Sequence, residues 1–118
     1  MRALMAAVVA MTASAALADD VGDAHRQALS GRDSYWNCLA REYSRDSNRG
    51  MLGQDFTSLI ASVCPSERQN FRVTLVDYLS LQFPDADAGA HMTTANNAIA
   101  AAQKDVVTAF IKHRAAMK

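Results

Sequence analysis

The sequence predicts an all-α fold, a small helical bundle of about four helices with one disulfide. Three observations carry that expectation. Apolar residues recur at spacings of three and four along most of the chain. No segment keeps the alternation of a half-buried strand, and no Asn-Gly or Asp-Gly hairpin turn occurs. The only two cysteines, Cys38 and Cys64, stand with 25 residues between them at the edges of two helical patterns.

The first element is a leader. Met1-Arg2 precedes a small, apolar run from Ala3 to Ala18, which ends Ala16-Leu17-Ala18 before Asp19-Asp20. A positive start, a short apolar stretch and a small-x-small site make a secretory signal peptide over residues 1–18. The run is shorter than the ~20 residues of a membrane span. Cleavage leaves residues 19–118 as a single helical domain, expected to have no stable membrane insertion.

Residues 19–33 hint at a helix through Ala24, Ala28 and Leu29, with Asp19, Asp20 and Asp23 suited to its N-terminus. The pattern strengthens at Tyr35, Cys38, Leu39 and Tyr43, and Asp33 or Ser34 can cap a fresh start if Gly31 interrupts the helix. Ser47-Asn48-Arg49-Gly50 is turn chemistry, with Gly50 or Gly53 available for a left-handed helix end. Phe56, Leu59, Ile60, Val63 and Cys64 form the next apolar stripe. Pro65 either bends that helix, the reading we favour, or opens a new one at its first position.

Phe71, Leu75, Tyr78, Leu79 and Phe83 share one face of the helix that follows, and residues 84–89 read as a linker. Met92, Ala95, Ile99, Ala102, Val106, Ala109 and His113 then mark a seam with alternating spacings of three and four. Lys112, His113, Arg114 and Lys118 suit the negative end of that last helix. Short connections imply antiparallel neighbours.

Charge narrows the function. The whole chain carries 12 Lys and Arg against 12 Asp and Glu, and losing Arg2 with the leader leaves 11 against 12. That balance makes no electrostatic case for nucleic acid. Export makes periplasmic or secreted the expected location, and an oxidising compartment makes Cys38–Cys64 a structural bridge. Such a bridge contributes roughly 3–4 kcal/mol.

Motifs for chemistry are missing. No Cys-x-x-Cys, Cys-x-x-Cys-His, Gly-x-Ser-x-Gly or phosphate-cradling glycine loop occurs. His25, His91 and His113 lack a partner at i+3 or i+4 that would build a helical metal site. No catalytic, cofactor-binding or metal residue is therefore assigned, no cofactor is expected, and the chain is not read as an enzyme. Carboxylates such as Glu42 and Asp46 read as surface partners of Arg41 and Arg45, each pair worth a few tenths of a kcal/mol. Trp36 either packs beside the disulfide or stays exposed, and in the second case Trp36, Arg41 and Arg45 form a possible partner surface.

Trp36, Cys38, Cys64 and the alanine-rich run from Ala98 to Arg114 resemble, in layout, a loose group of small exported helical proteins of Gram-negative bacteria, alphaproteobacteria above all. That resemblance implies export, helices and a disulfide, and carries no activity with it. Trp36-Asn37-Cys38 is also similar to the Trp-x-Cys of the periplasmic acid-stress chaperones, whose cysteines lie much further apart. The leading expectation is an interaction or structural module that docks on another periplasmic protein. A carrier of a small ligand or metal and an acid-stress holdase are the alternatives.

Overall fold

The computed structural model describes residues 2–117, with side chains described for residues 18–117. The leader expected at residues 1–18 therefore lies, except for Ala18, outside the described side chains. Four α-helices and no strand occur among the described residues. They are α1 (Arg2–Ser44), α2 (Gly53–Ser62), α3 (Pro65–Gln82) and α4 (Ala88–Ala116), with a 3-10 turn at Asp46–Asn48 between α1 and α2. No helix of the described residues is long and apolar enough to cross a membrane.

Helix α1 runs through Gly31 without a break, so Asp33 and Ser34 cap nothing. Glycine stands there because α3 passes close by: a Cβ on Gly31 would lie 2.7 Å from Thr74 Oγ1 and 3.1 Å from Phe71 Cα. The helix ends where the buried Asn48 folds back, its Nδ2 donating to the Glu42 carbonyl (2.9 Å) and to Glu42 Oε2 (3.2 Å). That side chain meets one of the carbonyls that every helix end leaves unpaired. No glycine among the described residues adopts positive φ, so neither Gly50 nor Gly53 supplies a left-handed cap.

The one left-handed residue described is Cys64 (φ 59°, ψ 46°). Proline disfavours the helical conformation in the residue before it. Helix α2 therefore stops at Ser62, Val63 turns extended, and Pro65 opens α3 at the position where its missing N–H costs nothing. Two helices meet at Pro65, not one bent helix. Arg68 Nη1 donates to the Ala61 carbonyl across the junction (2.6 Å).

Helix directions follow from which residues meet. Tyr35 sits by Gln103 and Tyr43 by His113, so α1 and α4 run parallel. Tyr35 packs by Phe71 and His25 by Tyr78, so α3 runs against α1. Gly53 lies by Ile111 and Phe56 stacks on Phe110, so α2 runs against α4. Helices α2 and α3 thus run in the same sense, one descending arm broken at Cys64. The antiparallel arrangement expected of helices joined by short connections holds for α1–α2 and α3–α4 and fails at this junction.

The core gathers Tyr35, Leu39, Phe56, Ile60, Phe71, Ile99, Val106 and Phe110 around the Cys38–Cys64 disulfide. On α4 the buried residues are His91, Ala95, Ile99, Ala102, Val106 and Phe110. The expected seam ran to Met92, Ala109 and His113, all of which are exposed. The buried set repeats every eleven residues, about 3.67 per turn, close to an undistorted helix, whereas a strict seven-residue seam drifts off the face by ~20° per repeat. The two ends of the expected seam slip by one residue for that reason. His91 turns inward because its Nε2 meets the Phe83 carbonyl (3.1 Å), tying the start of α4 to the end of α3. Asp87 caps α4 by accepting from the Gly89 N–H (3.4 Å).

Candidate functional site

The C-terminal ends of α1 and α4 come together with the turn at residues 46–52. At that pole Tyr43, Ser44, Arg49, Phe110, His113, Arg114 and Met117 line a recess of about 230 Å³. Arg114 donates through Nη1 to the Met51 carbonyl, which fastens the last turns of α4 to the loop before α2. Tyr43 and His113 stand with ring centroids 6.3 Å apart across the α1–α4 seam. Phe110 forms the inner wall and is itself held by a stacked contact with Phe56, centroids 3.8 Å apart.

Two guanidinium groups and one imidazole thus border one aromatic recess. Arg49 has one ion-pair partner among the described residues, Asp46, at 3.4 Å, and both side chains are largely exposed, so the pair leaves most of the guanidinium's donors in solvent. Arg45 is engaged by both Glu42 carboxylate oxygens, at 2.9 and 3.2 Å, and is not directed at the recess. The α1 and α4 macrodipoles end here with their negative poles, which the cations offset.

A second, apolar recess of about 170 Å³ adjoins the first. Trp36, Ala40, Tyr43, Asp105, Val106 and Ala109 line it along the α1–α4 groove, and Tyr43 belongs to both. Trp36 is half-buried against the core and shows its remaining surface to this groove. Arg41 lies about 140° round the helix from Trp36 at 3.6 residues per turn, and Arg45 is past the helix end. The structure therefore does not bring Trp36, Arg41 and Arg45 onto one surface. It brings Tyr43, Arg49, His113 and Arg114 together instead.

Sequence reasoning misses those four because their meeting depends on α1 and α4 running parallel, and no local pattern reports a direction between helices 70 residues apart in sequence. The available signal is the cluster of cations ending α4, which by itself reads as dipole compensation.

Charge is also segregated along the molecule. Asp19, Asp20 and Asp23 with Asp77, Asp85 and Asp87 gather at the opposite end, where Arg26 is the single Arg or Lys of residues 18–30 and 77–90. Residues 41–55 and 110–117 carry five Arg and Lys against three acids.

Other features offer less. Ligand-type atoms of Cys38, Cys64 and Glu67 lie within 4.8 Å of one another, but the sulfurs are bonded together and present no thiolate to a metal. A larger recess, about 530 Å³ between α1 and α3, is lined by Ala24, Gln27, Thr74, Asp77, Ser80 and Leu81 and has a mostly apolar wall. Comparison with known protein families, curated proteins and solved structures finds no match to this chain.

Proposed function

We propose that this chain is a small exported interaction module, stapled by Cys38–Cys64, whose docking surface is the α1–α4 pole. The observation that carries the reading is the convergence of Arg49, His113 and Arg114 on a recess walled by Tyr43 and Phe110. Aromatic and Arg side chains around a pocket are what partner surfaces concentrate. Exposed Leu52, Ile111 and Met117 in the same segments extend the apolar area. The partner is an acidic, partly apolar segment of another periplasmic protein. A long polyanion such as nucleic acid fits worse, because the six aspartates at the far end repel it. Binding rather than turnover is the activity proposed, and the disulfide supports an oxidising compartment.

Crosslinking and affinity capture from the periplasm, at neutral and acid pH, tests this. One dominant partner at neutral pH, crosslinked at the pole and lost with Arg49→Glu, is the expected result. Many clients captured only in acid would replace the module with a holdase, which draws support from the aspartate-rich end. Capture that ignores Arg49→Glu would move the docking surface elsewhere.

A further inference from the structure

The two recesses at the pole share Tyr43 and differ in character, and together they specify more than an acidic partner. The inner one is bordered by cations, and the outer one is almost wholly apolar apart from Asp105 at its edge. A ligand lying along both must place an anionic group at Arg49 and Arg114 and an uncharged, apolar body over Trp36. The reverse orientation sets its anion beside Asp105 and its apolar body among guanidinium groups.

The inner recess is also the more enclosed of the two, with the buried Phe110 as its inner wall. An enclosed end suits a ligand that terminates there better than a chain that passes through. Arg114 is held in place by its bond to the Met51 carbonyl, which occupies one of the five N–H donors of a guanidinium. A fixed fork of this kind matches a carboxylate.

We infer that the pole binds the free C-terminus of a partner chain, with its α-carboxylate between Arg49 and Arg114 and its last apolar side chains along Tyr43 and Trp36. This rests on the interaction-module reading and names the part of the partner that is read. A fatty carboxylate shares the chemistry of tail and head. The partner's chain end is favoured because Ala40 and Ala109 leave the outer groove open to solvent, where a peptide backbone can continue outward.

The test is a synthetic array of peptides ending in Leu, Ile, Val, Met or Phe, each made as the free acid and as the C-terminal amide, with decanoate as a separate arm. Free acids should bind the chain, and amides should bind at least about tenfold more weakly, the scale of one charge-assisted hydrogen bond. Arg49→Ala and Trp36→Ala should each weaken the best free acid. Arg114→Ala should do the same while its circular dichroism shows the fold retained. Amides equal to acids would overturn the inference, and so would decanoate binding more tightly than every peptide. A captured partner crosslinked to the pole through an internal segment would also overturn it, yet leave the module reading standing.

Discussion

A methyl group at residue 31 has two opposed effects. Replacing a mid-helix glycine by alanine favours α1 by up to ~1 kcal/mol. Against that, the new Cβ would stand 3.1 Å from the backbone of Phe71, which cannot rotate away as the Thr74 hydroxyl can. Forcing extra volume into a packed contact costs typically ~1–3 kcal/mol. Crowding wins, and Gly31→Ala should lower stability in urea by about 1 kcal/mol. An unchanged or raised midpoint would show that α1 and α3 separate freely. The sequence displays only the propensity side of this contest, since Phe71 and Thr74 lie some forty residues on. Gly31 for that reason reads as a break when its neighbours in sequence are all that is seen. Asn48 is legible as turn chemistry because its job is local, serving a carbonyl six residues earlier.

At the scale of the element, Cys64 concentrates three constraints: the disulfide, the proline after it and a left-handed backbone. For an L-residue that backbone costs roughly 1–2 kcal/mol, and glycine adopts it freely. Removing the bridge as Cys38→Ala with Cys64→Ala should cost roughly 3–4 kcal/mol. If the α2–α3 junction keeps its conformation without the bridge, Cys38→Ala with Cys64→Gly should be about 1 kcal/mol more stable than the alanine pair. Paired denaturation curves decide this, and a less stable glycine variant would mean that the bridge imposes the left-handed turn. Helix α2 makes a further case. Ten residues are too few to be helical alone, so α2 depends on what it packs against. Phe56 is fully buried and stacked on Phe110. Phe56→Ala should cost ~3–5 kcal/mol and release α2 first, seen as loss of amide protection over residues 53–62 before residues 65–82. Equal loss in both helices would show one cooperative unit. The helices themselves are readable from period, the bridge from the two lone cysteines, and the linker before α4 from its proline, aspartates and glycine. The break at Pro65 is not, because proline is compatible with a kink or with a first turn. Deciding between them takes the backbone of Cys64.

For the whole molecule the deciding property is where charge lies rather than how much there is. Counted from Asp19 on, the chain is within one charge of neutral at pH 7 with histidine neutral, a balance that by itself argues against binding to either exchanger resin. The fold separates the signs: residues 19–23 and 77–87 carry the aspartates, and the ends of α1 and α4 carry the arginines. Parallel packing of α1 and α4 makes this separation, so composition could not show it. At low ionic strength, where screening extends to ~30 Å, each end should act as its own patch. The chain is therefore expected to be retained near pH 7 on both a cation and an anion exchanger, and released from both as salt approaches physiological strength, where the screening length falls to about 8 Å. Arg49→Glu with Lys112→Glu should abolish retention on the cation exchanger alone. Both side chains are exposed, and surface substitutions of this kind shift stability by no more than about 0.5 kcal/mol. Passage of the unsubstituted chain through the cation exchanger at low salt would mean that the pole's cations are neutralised where they stand. That outcome would remove the electrostatic basis for an acidic partner, whatever the shape of the recess. Loss of retention with the two substitutions would locate the attraction at the ends of α1 and α4, where the recess lies.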